Sequence, residues 1–211
     1  MIVACVTGEV EGGLKAHLHG GGSTYVLCSD PVCLALIFWS VCRHATPAAT
    51  TDSPGDIVLS QTLLGPLALL SSHLSFLQAT LPRATVTSLY RRVASRLASH
   101  LLQRQLLYRG HTRASLQECQ AVLAEAELWV ETCRIALKEE RGRVEAPWRP
   151  FLQAARLLAA EGDTWARAVD ATFGMASDSE WEDVMLEVVG LCELPREEVQ
   201  GILRRREECQ R

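Results

Sequence analysis

A regular seam of apolar residues between Ser115 and Leu137 constrains the fold of this chain more than any other feature. Its apolar side chains are separated by 3, 4, 3, 4, 3 and 4 residues, at Leu116, Cys119, Leu123, Ala126, Val130, Cys133 and Leu137. This spacing predicts one stripe along an α-helix, which needs neighbouring helices to bury it. Ser115 and Glu118 have the spacing of a capping box, which predicts where the helix begins. Four glutamates off the seam are expected to face water: Glu118, Glu125, Glu127 and Glu131.

The seam helix is expected to span residues 113–140, and other segments downstream of residue 56 also show helical periodicity. They are residues 57–80 with a bend near Gly65-Pro66, 85–109 capped by Gly110, 149–161, 164–173, 179–190 and a last helix that starts at Pro195. Ser179 and Glu182 predict a second capping box. A linker is predicted at 141–150, because that segment contains two prolines and a glycine. We therefore expect an all-α chain.

The N-terminal quarter of the chain lacks the regular helical periodicity of the downstream segments. Residues 1–18 predict a helix weakened by glycines, and residues 19–55 show no lasting period of either a helix or a strand. We expect residues 19–55 to be poorly ordered, as an insertion or an artefact of the gene model. An enzyme built around a zinc site is the competing interpretation of this segment, although the ligand spacing is loose for structural zinc. Its ligands would be Cys28, Cys33, Cys42 and His44.

Composition and motifs argue against several classes of function. The 211 residues carry a formal net charge of −4, whereas a chain that coats nucleic acid needs a basic face. The longest apolar run, 32–41, is about half the length of a membrane-spanning helix, and the N-terminus lacks the basic region of a signal peptide. No phosphate-binding glycine loop, nucleophile elbow or paired metal-binding histidines occur. We therefore expect a soluble, intracellular protein that is not an enzyme and binds no cofactor, metal or small-molecule substrate.

Two features are candidate protein contacts. Trp148 lies near a predicted helix start, where a tryptophan has a core role or, if exposed, marks a binding surface. The run Arg204, Arg205 and Arg206 lies in the last predicted helical turn, where cations complement the helix dipole. The same run is a candidate contact for an anionic lipid or an acidic partner.

The sequence from residue 70 to the end resembles the C-terminal region of the Rad50-interactor/Tip family of vesicle-tethering subunits. The resemblance rests on LSFLQATLP, LYRRVASRLASHLLQRQLLYRG, SLQECQAVLAEAELWVE and LCELPREEVQGILRRRE. IVACVTGEVEGGLKAHL is similar to the preceding helix of that region, which makes 19–55 an insertion within it. The resemblance covers about two thirds of the chain, through motifs of the helix-packing type.

The resemblance implies a fold and a role. It implies antiparallel helical bundles of the exocyst-like tether rod type, divided here into residues 56–145 and 146–211. Family members are longer, so the chain resembles a C-terminal fragment. They work without enzymatic activity or cofactor, in a complex peripheral to the endoplasmic reticulum membrane that binds SNAREs and captures Golgi-derived retrograde vesicles. The alternative is a free-standing helical scaffold or regulatory protein, whose likeness to the family reflects only common helix patterns.

Overall fold

The computed structural model describes residues 7–8, 10–11, 61–107, 113–190 and 193–209. Most of these residues are helical and they include no β-strand, which confirms the all-α prediction. The α-helices are α1 Gln61–Thr80, α2 Arg83–Leu101, α3 Leu116–Leu137, α4 Arg141–Glu145, α5 Arg149–Ala159, α6 Gly162–Phe173, α7 Asp178–Val189 and α8 Arg196–Leu203. A π-helical turn, Leu102–Leu107, extends α2, and a 3-10 turn, Ala146–Trp148, joins α4 to α5.

The seam helix α3 lies between α1 and α5. Glu127, in the middle of α3, forms an ion pair with Arg156 of α5, with the nitrogen and oxygen 3.3 Å apart. Gln120, near the start of α3, donates a hydrogen bond to Glu161, which follows the end of α5. Early residues of α3 therefore meet late residues of α5, so these two helices run antiparallel. The C-terminal ends of α1 and α3 meet, because the Gln78 side chain donates to the Leu137 carbonyl at 2.7 Å.

The predicted start of α3 is confirmed. The Glu118 backbone N–H donates to Ser115 Oγ at 3.3 Å, and the Glu118 carboxylate accepts from the Ser115 backbone N–H at 2.8 Å. The prediction that four glutamates of α3 face water is wrong in part. Glu118 is exposed, but Glu127 and Glu131 are half-buried and Glu125 is buried. α3 packs against helices on two sides, so its covered surface is wider than the seam.

The predicted linker at 141–150 is also wrong. The segment forms α4 and the 3-10 turn and then enters α5 without an irregular connection. Pro147 and Pro150 each stand in the first turn of the element that follows, where a proline sacrifices no helical hydrogen bond. Prolines that suggested a break therefore mark helix starts. Buried Val144 and Trp148 hold this path against the core.

Two further details of the helix ends differ from expectation. The second capping box forms between Ser177 and Glu180, two residues before the predicted pair, so α7 begins at Asp178. The Ser177 backbone N–H, which donates to the carboxylate at 2.8 Å, lowers the pKa of Glu180. α8 ends at Leu203, so the three arginines that were placed in its last turn follow the helix instead.

One continuous hydrophobic core runs from α1 through α8, and it does not break at the predicted boundary between residues 145 and 146. α5 packs against α3 on one side and against α7 and α8 on the other. Of the predicted N-terminal helix, Thr7, Gly8, Val10 and Glu11 are helical, and Val10 belongs to the core. The rest of that helix, Gly110, the 19–55 segment and its suggested zinc ligands lie outside the described residues.

Candidate interaction surfaces

Trp148 is a core residue. Its side chain is fully buried and stacks on Trp129, with ring centroids 5.7 Å apart and an interplanar angle of 22°. Its indole Nε1–H donates to the Tyr90 hydroxyl at 3.0 Å, and that hydroxyl donates to the Val144 carbonyl at 2.6 Å. Trp148 therefore satisfies its polar atom internally and offers no surface to a partner in this fold.

The surroundings of Tyr90 are buried. Burial, followed by the effect of the neighbouring Cys133 thiol, raises the pKa of Tyr90 far above its ordinary value. Burial likewise raises the pKa of Cys133 to about 12 and that of Cys119 to about 11. A thiol is nucleophilic only as the thiolate, so these two cysteines are inert small side chains of the core at neutral pH.

Arg206 is also buried, with 2% of its surface exposed. Its Nη1 donates to the carbonyls of Leu158, at 3.2 Å, and Ala160, and its guanidinium carbon lies 4.2 Å from the centroid of the Trp165 ring. Its Nη2 donates to Glu208 at 2.7 Å. These bonds hold the C-terminal tail against the end of α5, which is a structural role.

The two neighbouring arginines differ in exposure. Arg205 donates to the carbonyls of Leu106 and Leu107 at 2.8 and 2.9 Å, and so caps the open end of the π-helical turn. Arg204 is exposed and lies over the Phe173 ring, 5.1 Å from its centroid. Of the four candidate contact residues, Arg204 is therefore the only one with a mainly exposed side chain.

A groove that the sequence did not reveal lies where the C-terminal ends of α1 and α3 meet. It has a volume of about 430 Å³. Its lining residues are Ser71, Ser75, Gln78, Ala79, Ile135, Ala136 and Lys138. Most of them are small, so the groove comes from missing side-chain volume between two helices. A single-helix pattern cannot show this, because the gap exists only once α1 and α3 pack together.

The groove combines one apolar side chain with polar ends. Ile135 is 43% exposed there, and next to the lining residue Ser75 on α1, Phe76 is 65% exposed. Lys138, which ends α3 in the left-handed conformation with φ 52°, is an exposed, charged member of the lining. An exposed isoleucine among small side chains has the character of a site for an apolar side chain of a partner helix.

Other kinds of site are not found among the described residues. No group of three or more His, Cys, Asp or Glu side chains there converges to hold a metal ion. No helix in the described part of the chain is both long and apolar enough to cross a membrane. Comparison of the chain with protein families, with curated proteins and with solved structures finds no match.

Proposed function

We propose that this chain is a non-enzymatic interaction module of a vesicle-tethering complex in retrograde Golgi-to-ER transport. In this role it binds ER SNAREs and other tether subunits through helix-to-helix contacts, and it meets the ER membrane through those partners. The proposal draws its biological setting from the resemblance of residues 70–211 to the Rad50-interactor/Tip family. An all-α fold with an open groove between two helices supports the mode of binding.

The groove between α1 and α3 is the observation that carries the proposal. Its small lining residues Ser71, Ser75 and Ala79 let a partner helix approach closely, since the distance between packed helices depends on the side chains at their contact. Among the lining residues, Ile135 supplies an exposed apolar anchor and Lys138 supplies a positive charge. Buried residues of both helices belong to the same hydrophobic core.

The direct test is retention of purified ER SNARE cytoplasmic domains and tether subunits by the immobilised full chain. We expect retention by the wild type and a fall of about tenfold for Ile135→Asp, because removing a central apolar anchor costs more than about 1 kcal/mol. Ser75→Glu, which adds a charge inside the groove, is expected to weaken retention similarly. Ser72→Glu is the matched control, because Ser72 is exposed on the same helix and does not line the groove.

Three outcomes separate the possibilities. Retention that depends on Ile135 and Ser75 but not on Ser72 supports the proposal. Retention of none of the SNAREs and tether subunits overturns the tethering role. In that case a different binding partner, sensitive to the same groove variants, would favour the free-standing scaffold.

A further inference from the structure

The exposed face of α2 is basic and contains no acidic residue. Residues 57–117 include no aspartate or glutamate, whereas seven arginines fall between positions 83 and 113. Four of them lie exposed along α2 and its π-helical extension, at Arg91, Arg92, Arg96 and Arg104. The first and last of these are separated by roughly 20 Å along the helix axis. The charge is therefore spread along one rod, although the whole chain is acidic.

Within the described part of the chain, three of these four arginines form no ion pair. At the start of α2, Arg83 is neutralised by Glu139, at 2.6 Å. Arg96 lies 3.5 Å from Glu11. For Arg91, Arg92 and Arg104, no ion pair forms with any other described residue. Exposed guanidinium groups that are close together and unpaired repel one another, so an acidic ligand gains favourable interactions there.

A stripe of small residues runs along α2 between the arginines. Ala84, Ser88, Ser95 and Ser99 are exposed and spaced 4, 7 and 4 residues apart, which places them along one stripe of the helix. At 100° per residue, Arg91 lies on one side of this stripe, while Arg92 and Arg96 lie on the other. Short side chains between the arginines let a partner helix approach α2 closely. Among the described residues, the exposed large apolar side chains that would insert into lipid lie outside α2, at Phe76, Ile135, Met175 and Leu186.

An acidic side chain of the chain itself already contacts this face. Thr7, Gly8, Val10 and Glu11 are helical, Val10 is fully buried, and the Glu11 carboxylate is the group that pairs with Arg96. A helical segment with an acidic side chain therefore already contacts α2 at one point. Arginine also favours carboxylates, because its planar guanidinium forms two parallel hydrogen bonds with them.

We propose that the α2 basic face, defined by Arg91, Arg92 and Arg96, binds an acidic helix of a partner protein. The partner helix lies along the stripe of small residues, and its carboxylates pair with Arg91 on one side and Arg92 on the other. This surface is distinct from the groove between α1 and α3, and the proposal does not depend on the tethering role. The two surfaces differ in chemistry, because one recognises an apolar side chain and the other recognises negative charge.

A synthetic helix is a sufficient probe. A fluorescent, capped, alanine-based peptide of about 20 residues is made with glutamates at i, i+4 spacing, and a second peptide carries glutamines instead. Fluorescence anisotropy with the full chain is expected to show binding of the glutamate peptide at least about tenfold tighter than that of the glutamine peptide. The affinity is expected to fall as ionic strength rises, because exposed charges are screened.

Charge-reversal variants locate the binding. R91E/R92E is expected to weaken binding of the glutamate peptide by about tenfold or more. R149E/R167E is the matched control, because it reverses the same number of exposed arginines on α5 and α6 and gives the same net charge. We expect the control to change the affinity by less than about twofold. Circular dichroism checks that both variants keep the helical content of the wild type.

Several results would overturn the proposal. Equal affinity for the two peptides, or equal loss in the two variants, means that the α2 basic face has no specific role. Arginine-dependent binding to phosphatidylserine vesicles without binding to the glutamate peptide assigns the face to a membrane. Arginine-dependent self-association in sedimentation velocity assigns it to a second copy of the chain. Ser75→Glu leaves peptide binding unchanged if the two surfaces are independent.

Discussion

Arginines in the C-terminal tail and arginines on α2 occupy opposite environments. Arg205 and Arg206 are consecutive, yet both guanidinium groups bind backbone carbonyls, and Arg206 is buried against Trp165. Arg91 and Arg92 are also consecutive, yet both are exposed and form no ion pair with another described residue. A cluster of charge in the sequence therefore does not identify a binding surface. The environment of each arginine in the folded chain has to be known as well.

Among the substitutions that test this difference between buried and exposed residues, we expect the largest effect on stability at Trp148. Trp148→Ala is expected to lower the free energy of unfolding by about 4 kcal/mol, because it removes a fully buried side chain and its stack on Trp129. Urea denaturation measures this change. Trp148→Phe keeps most of the volume and loses the hydrogen bond to Tyr90, so its expected cost is about 1–2 kcal/mol. A cost below about 0.5 kcal/mol for the alanine variant would place Trp148 outside the stable core.

Arg206 gives the next largest effect. Arg206→Ala is expected to destabilise the fold by about 2–4 kcal/mol, because the carbonyls of Leu158 and Ala160 lose a charged donor and Trp165 loses its cation–π contact. The same urea titration measures it. Arg204→Ala and R91Q/R92Q are the exposed controls, each expected to stay within about 0.5 kcal/mol of the wild type. If Arg206→Ala also stays within that range, the contrast between the tail and α2 fails.

Alkaline pH gives a smaller and graded effect. Because the pKa of Cys133 is raised from 9.0 to about 12 in the folded chain, the unfolded state releases its proton first as pH rises. The stability due to the neutral thiol is therefore complete below pH 9 and is lost between pH 9 and 12. The free energy of unfolding is expected to fall by about 1 kcal/mol per pH unit above pH 9 for each buried thiol.

Cys119 contributes in the same direction, over the range from 9.0 to about 11. Urea titrations at pH 8, 9, 10 and 10.5 measure the slope. Cys133→Ala removes one titrating thiol, so it is expected to reduce the slope even though it also lowers the stability at pH 8. A slope unchanged by that variant would mean that Cys133 does not control the alkaline loss.

The sequence predicted the helices well, because helix periodicity and end signals are local. α3, α5, α6 and α7 begin and end within three residues of the predicted bounds. The Ser115–Glu118 box formed where the pattern placed it, since both partners are three residues apart on one turn. The Ser177–Glu180 box was missed by two residues, because another Ser–Glu pair with the same spacing lies just downstream.

Burial and surface shape were harder to predict, because they depend on residues distant in sequence. Glu125 is buried because α3 has two large neighbours, and Trp148 is buried because Trp129 and Tyr90 surround it from other helices. The groove near Ile135 likewise requires α1 and α3 together. Arg91 and Arg92 are exposed on the outer face of α2, and neither forms an ion pair with another described residue.

The C-terminal tail also determines how the molecule would carry mechanical load. The Ala114 backbone N–H donates to the Arg205 carbonyl at 2.7 Å, and the Glu207 backbone N–H donates to the Ala114 carbonyl at 3.0 Å. The side chains of Arg205 and Arg206 add hydrogen bonds to the π-helical turn and to the end of α5. Tension on the tail is therefore shared among these two elements and the start of α3. A pull at residue 209 therefore reaches α8 only after these attachments rupture.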